Sequence, residues 1–355
     1  MPLFAIFISI LCAAALAAET VTVSNTQLRR TRQGNVVLAQ DGNIANALYN
    51  GSFVLLGMSY GDCAFQACAN TSGGACGFGP GRFLAYLSPT LGDGSWSEPI
   101  EILPASQRPA TLARAIFFRP HLVFNPRTQQ WVLWVRYLPP DGPSLSDDPT
   151  LYLTATAPSL DAAFSVAQLA VPMYYNNSAD NNLFVDADGT GYLVHTSRST
   201  NTAITVERLS DDFTWSRGVN ESASRSALVG PGHTEAPALA RFNGRYILTF
   251  SPLCCFCVAG SPAAVYAADA PLGPYAPLGG GLGNAAGAQQ TFLFAHEKLG
   301  AGALLWAGNR WGSDPVNKPP HFDNSLQFWT LLQPAANGSG FAPIRWQDTI
   351  TLSVS

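Results

Sequence analysis

Three acidic residues stand at comparable places in this chain. Asp41 lies in "LAQDGNI", Asp180 in "SADNNLFVDADG" and Glu235 in "HTEAPAL". Each precedes a short apolar or mixed run, then a turn and a strand-like stretch. Paired carboxyl groups suit the hydrolysis of a glycosidic bond: one protonates the leaving oxygen while the other activates water or attacks the anomeric carbon. A third acid nearby raises the donor's pKa by like-charge repulsion. Glu235 sits between His233 and an apolar run that begins with Ala236-Pro237. Apolar surroundings keep a carboxyl group protonated near neutral pH, which makes Glu235 the candidate proton donor. Each acid also has a plainer reading. Asp41-Gly42 is a common turn dipeptide. The stretch around Asp180 also reads as a polar loop, and Glu235 also reads as the partner of Arg241 or Arg245. Asp186 and Asp188, in "VDADGTGY", read as turn acids.

Something must bring these distant acids together. Five turn–strand units recur: "YNGSFVLLG" from Tyr49, "NPRTQQWVLWVR" from Asn125, "DADGTGYLVHTS" from Asp186, "FNGRYILTFS" from Phe242 and "KLGAGALLWAG" from Lys298. Each is followed by a second strand running into a polar turn, and long amphipathic helical stretches are absent. Recurring units of this kind are the sequence form of propeller blades. The expectation is an all-β chain, a five-bladed β-propeller filling residues 18–355 as one domain, although length alone suggests two. An irregular pair of β-sandwiches is the alternative. In a propeller the starts of the inner strands surround a central channel, so the three acids would face one funnel.

Composition narrows the partners. The 355 residues carry a net charge of −4, with 12% charged side chains and no basic stripe, which argues against nucleic acid. The opening "MPLFAIFISILCAAALAAET" reads as a signal peptide over residues 1–17, with Ala15-Leu16-Ala17 as the cleavage site. No later stretch has the roughly 18 apolar residues of a membrane span. A secreted, extracellular, monomeric protein is expected. N-x-S/T sequons at Asn50, Asn70, Asn176, Asn220 and Asn337 suit that compartment. So do Cys63, Cys68, Cys76, Cys254, Cys255 and Cys257, whose even number suggests disulfides of unspecified pairing. Zinc binding is the rival reading, but no His pair lies close by. No cofactor is expected, with a structural calcium left open.

Other positions could support the acids. Arg119 and Arg310 stand at blade starts and suit sugar hydroxyls or a carboxylate; Arg119 also reads as a structural partner of Asp180 or Asp41. Trp311, read as exposed beside a polar loop, suits stacking on a pyranose face. Tyr60 follows the first strand and is placed at the mouth of the funnel. His233 reads either as orienting Glu235 or as a buried, satisfied histidine. Trp131, Trp134, Trp306 and Trp329 fall in strand patterns and read as core. Residues 63–81 read as a disulfide-pinned loop over the funnel.

The ordered set "DGNI", "RPHLVFNPRTQQWVLW", "DNNLFVDADGTGYL", "LSDDFTW", "EAPALARFNGRYILTFS", "APLGPY" and "GNRW" resembles glycoside hydrolase family 43 across residues 36–350. It is most similar to the galactan 1,3-β-galactosidase branch. The resemblance implies a five-bladed propeller and an inverting mechanism. It places Asp41 at the general base, Asp180 at the acid that tunes pKa and orients the sugar, and Glu235 at the general acid. That branch usually has glycine at the position of Asp41 and relies on a glutamine in a later S-Q-x-T motif. Here "AQQT" puts Gln289 at that place, so both water-positioning groups are present. The branch has Glu before its R-P pair, whereas Phe118 stands here. The expected function is secreted hydrolysis of cell-wall polysaccharide, β-1,3-galactan or arabinogalactan in the first place. A non-catalytic glycan-binding propeller and an arabinan- or xylan-cleaving glycosidase are the alternatives.

Overall fold

The computed structural model describes residues 18–61, 64–65, 81–139, 151–175, 178–197, 200–254, 256, 260–300 and 302–355. The expected signal peptide, the sequons at Asn70 and Asn176, and Cys63, Cys68, Cys76, Cys255 and Cys257 lie outside these residues, as does most of the loop expected over 63–81. Cys254 is disulfide-bonded.

Among the described residues the chain is all-β, with five blades arranged as a propeller and a two-stranded ribbon. After β1 (Glu19–Ser24), blade one holds β2 (Gln40–Ile44), β3 (Phe53–Ser59), β4 (Arg82–Ser88) and β5 (Ile100–Ile102). Blade two holds β6 (Ile116–Asn125), β7 (Gln130–Leu138), β8 (Leu151–Ala157) and β9 (Ser165–Gln168). Blade three holds β10 (Ser178–Val185), β11 (Gly191–Ser197) and β12 (Ala203–Arg208). Blade four holds β13 (Thr234–Phe242), β14 (Arg245–Pro252), β15 (Ala264–Ala268) and β16 (Ala276–Pro277). Blade five holds β17 (Gln289–Phe294), β18 (Leu305–Arg310) and β19 (Leu326–Leu331), and β20 (Thr349–Val354) returns to pair with β1.

The recurring turn–strand runs are the second strands of the blades. They are continuous apolar runs because both faces of each blade are covered by its neighbours: every residue of β3 and β11 is buried. In β20, exposed and buried residues alternate, because only one face of the ribbon meets the core. The apolar core accordingly divides into interfaces between adjacent blades. Val54 and Phe83 meet Phe117 and Leu133 between blades one and two. Leu55 and Tyr86 meet Phe292 and Trp329 between blades one and five. Trp131, Trp134, Trp306 and Trp329 are all buried, as their strand pattern suggested.

The ring is closed by polar clips as well as by apolar contact. The Asn25 side chain donates to the Trp329 carbonyl at 3.0 Å and accepts from its N–H at 2.8 Å, fastening the end of β1 to β19. Gln40 donates to the carbonyls of Asp323 and Ser325, and Gln327 donates to that of Ala39. Between blades one and two, Asn43 exchanges both hydrogen bonds with the Leu122 backbone, at 3.0 and 2.9 Å.

One irregularity recurs in all five blades. The register of each innermost strand slips at the same level: between Gln40 and Asn43, Phe118 and His121, Ser178 and Asn181, Glu235 and Ala238, and Gln290 and Phe292. A bulge of this kind bends a strand and re-aims its side chains. Asp41, Arg119 and Ala236 take left-handed φ values of 57°, 47° and 52° there. Pro120 and Pro237 follow two of them, where a missing N–H costs the ladder nothing. Gly42 follows the third, and a Cβ on it would lie 1.7 Å from the Leu56 carbonyl oxygen. Gly42→Ala is therefore expected to cost about 3 kcal/mol or more, since a backbone carbonyl cannot move aside as a side chain can. A urea-unfolding midpoint equal to that of the wild type would show that the bulge is not packed this tightly.

Candidate active site

The bulges place one polar group from each blade at one end of the ring. Asp41 comes from β2, Arg119 from β6, Asp180 from β10, Glu235 from β13 and Gln289 from β17. All five are buried, none more than 9% exposed. A charge taken out of water must be paired or neutralised. Arg119 lies 3.2 Å from Asp180 and 3.9 Å from Asp41, and it donates to the Gln290 carbonyl at 3.1 Å. Arg136, from β7, lies 3.3 Å from the other oxygen of Asp180, with its guanidinium over the Phe118 ring. Asp180 also accepts from the Ala236 N–H at 3.2 Å, so this carboxylate is held by three separate elements.

Glu235 and Asp41 are held differently. Glu235 Oε1 accepts from Gln289 Nε2 at 2.8 Å, and Gln289 Oε1 accepts from Trp311 Nε1 at 2.7 Å. Burial, and then the negative charge of Asp180, push the Glu235 carboxyl group up to about 8, against the opposing pull of Arg119, the Cys254 N–H and Arg136. Asp41 accepts from the Tyr60 hydroxyl at 2.5 Å. Burial raises its pKa above the usual aspartate range, although Arg119 and the Tyr60 hydroxyl act the other way. Tyr60 itself is held well above the ordinary phenol value, first by burial and then by the charge of Asp41, so it stays a donor. Burial disfavours the charge on Arg119, but Asp180, Asp41 and Glu235 together outweigh that and raise its pKa.

Beside the acids stands a wall of rings. Tyr60, Phe65, Phe256, Trp311 and Phe322 pack with centroids 4.8–6.4 Å apart. Such edge and tilted contacts exclude water from one side of the cluster. Asp323 anchors the wall: it accepts from the Ser59 hydroxyl and the Tyr60 N–H, both at 2.5 Å.

Seven of the nine positions singled out in the sequence come together here: Asp41, Asp180, Glu235, Gln289, Arg119, Tyr60 and Trp311. Two do not. Arg310 packs its guanidinium 4.4 Å above the Trp346 ring and is in no ion pair among the described residues. His233 is exposed and neither orients Glu235 nor is buried; it stands just before β13 in a left-handed turn, its N–H bonded to the Asn201 carbonyl. Trp311 must also be corrected. It is 2% exposed, because the aromatic wall covers it, so it offers no open face for stacking on a sugar. Tyr60 is likewise buried within the wall and not open at a mouth. The rival partners of Glu235 are engaged elsewhere: Arg241 with Asp186 at 3.3 Å and Arg245 with Asp269 at 3.3 Å. Arg119 pairs with both aspartates named as its possible partners.

Sequence reasoning missed Arg136, Phe256, Phe322 and Asp323. Arg136 left a signal, as the single charge in the otherwise apolar or polar-uncharged strand "QWVLWVRYL". The other three sit in irregular segments whose partners are far away in sequence. Among the described residues no three His, Cys, Asp or Glu side chains are grouped to hold a metal ion. At the other end of the inner strands a cavity of about 430 Å³, walled by Ile44, Val123, Leu183, Leu239 and Leu293, has Asp186 and Arg241 already paired with one another.

Residues 134–279 match the family model of glycosyl hydrolases family 43. No curated protein sequence matches the chain. Three solved structures of similar fold are a family 43 β-1,3-galactosidase (19% identity, TM-score 0.69, covering 94% of this chain and 64% of that one), an exo-β-1,3-galactanase from Clostridium thermocellum (18%, TM-score 0.72, 94% and 67%) and an exo-β-1,3-galactanase from Phanerochaete chrysosporium with β-1,3-galactotriose (17%, TM-score 0.69, 93% and 68%). The chain thus spans about two thirds of the length of these structures. At such identities the likeness is one of fold.

The raised pKa of Glu235 has a consequence for stability. The folded chain holds a proton on Glu235 that the unfolded chain releases above about 4.5, so stability is lost as pH rises from there through about 8. Glu235→Gln removes this loss. Its melting temperature is expected to exceed that of the wild type at pH 8–9, with the gap closing below pH 4.5. Parallel melting curves for the two proteins across that range would contradict the assignment.

Proposed function

We propose that this glycoside hydrolase family 43-like protein is a secreted enzyme that cleaves β-1,3-linked galactan or arabinogalactan side chains from the chain end with inversion. One observation carries the chemistry. A buried carboxyl group with a pKa near 8, Glu235, stands in one arginine-bridged cluster with a second carboxyl group, Asp41, that has its own separate donor. Environments that treat two carboxyl groups differently assign the acid and the base.

In the proposed reaction a water oxygen attacks the anomeric carbon and its proton passes to Asp41. The bond from that carbon to the glycosidic oxygen breaks, its electron pair stays on the leaving oxygen, and Glu235 supplies the proton that oxygen takes up. Inversion requires about 6.5–9.5 Å between the two carboxyl groups to admit the water. Asp180 lies between two guanidinium groups, and its negative charge raises the pKa of Glu235. The galactan preference is supported by the names of the three structures of similar fold, and secretion by the apolar N-terminal run.

The test is release of reducing ends from a panel of galactan, arabinogalactan, arabinan and xylan, with NMR of the first sugar set free. Release of galactose from β-1,3-galactan, first appearing as the α anomer, is expected. The β anomer would exclude inversion, and binding without release would leave only a glycan-binding propeller. Glu235→Gln and Asp41→Asn should each lower kcat by about 10²–10⁴-fold. The kcat of the wild type should fall on the alkaline side near pH 8, as Glu235 loses its proton.

A further inference from the structure

The contact between Trp311 and Gln289 carries more than packing. An amide side chain can face either way, and its nitrogen and oxygen are told apart only by their partners. An indole N–H has no such ambiguity, because it can only donate. The Gln289 atom 2.7 Å from Trp311 Nε1 must therefore be the carbonyl oxygen, and the atom 2.8 Å from Glu235 Oε1 must be the NH2 group. Glu235 Oε1 then accepts a hydrogen bond from the amide, which favours the proton of a neutral Glu235 on Oε2. The indole is itself locked in place: Trp311 is 2% exposed, with Tyr60, Phe256 and Phe322 edge-on at 6.1, 5.0 and 5.7 Å.

We infer that Trp311 is a positioning residue: acting through the Gln289 amide, it fixes which oxygen of Glu235 carries the proton delivered to the leaving group. This rests on the hydrolase reading above and deepens it. It gives Gln289 a task other than placing water, since one lone pair of its carbonyl oxygen is taken by the indole and its amide faces the acid. The arrangement is directional. A donor aimed at Oε1 favours the ionised carboxylate, so it also moderates a pKa that burial alone would drive higher.

Trp311→Phe keeps an aromatic ring and deletes the donor, freeing the amide to turn its oxygen toward Glu235. Gln289→Met deletes the amide at similar volume. A 13C NMR titration of glutamate-labelled protein without substrate, with the Glu235 signal assigned by its loss in Glu235→Gln, is expected to show an apparent pKa about one unit or more above wild type in both variants. An unchanged titration in both would overturn the inference.

Kinetics supply the second arm. An acid misplaced by loss of the relay should slow β-1,3-galactobiose at least about tenfold more than 2,4-dinitrophenyl β-galactoside, whose leaving group needs little protonation. Equal slowing on both substrates would mean that Trp311 only packs, and would equally overturn the inference. Phe322→Leu, which thins the wall and leaves the relay intact, is expected to slow both substrates alike with no change in titration. Should the wild type cleave neither substrate while the titration still moves, the relay stands and the hydrolase reading falls.

Discussion

Three carboxyl groups are buried around two guanidinium groups, and that imbalance governs the site. Asp41, Asp180 and Glu235 face Arg119 and Arg136 where water is largely excluded. With every group charged, one negative charge would stand uncompensated, which is costly at low dielectric. A proton relieves it. Asp180 is already held by both arginines and a backbone N–H. Asp41 has only the more distant contact to Arg119, but a phenol donates to it. Glu235 accepts from the neutral Gln289 amide, is buried and feels the charge of Asp180 directly, so the proton settles there. The acid is thus chosen by the charge count of its neighbours, more than by anything intrinsic to glutamate.

The bulges make that crowding possible. A regular strand would alternate its side chains between the two faces of a blade, into one neighbour or the other. Slipping the register at one level in all five innermost strands gives the chain positions that belong to neither face. Asp41, Arg119 and Ala236 occupy the left-handed conformation at that level, a strained state for residues with a Cβ. Gly42, Pro120 and Pro237 are the local chemistry that tolerates it. The dipeptides Asp-Gly, Arg-Pro and Ala-Pro are therefore the same device in three spellings. The plain reading of Asp41-Gly42 as a turn fails, because both residues lie within β2, where the left-handed φ of Asp41 serves a bulge.

The fold was legible because its signal is repeated and local. Five apolar strands buried on both faces, each after a polar turn, specify blades without any knowledge of contacts. The acids were legible as types at equivalent places. What spacing could not show was the direction of a side chain. Arg310 ends a strand at a blade much as Arg119 stands near the start of one, yet it turns outward onto Trp346. Trp311 looked exposed because its sequence neighbours are polar, while the rings that cover it, Tyr60, Phe256 and Phe322, come from three other segments. His233 lies two residues from Glu235, but the turn before β13 leaves it in solvent. These failures share one cause: each depended on a partner distant in sequence.

A constellation that takes one group from each blade has no local folding unit. Asp41 belongs to blade one and Gln289 to blade five, so they are neighbours only when the ring is shut. Shutting it falls to the two ends of the chain. β1 and β20 pair along their whole length, from Glu19 opposite Val354 to Ser24 opposite Thr349. Asn25, directly after β1, then fixes the ribbon to Trp329 on blade five. Loosening of that ribbon would leave most blade interfaces intact while parting blades one and five, and the aromatic wall, drawn from both, would part with them. Trp311 and Gln289 belong to blade five and Glu235 to blade four, so what closure of the ring adds to this relay is Tyr60, the ring that blade one packs against Trp311.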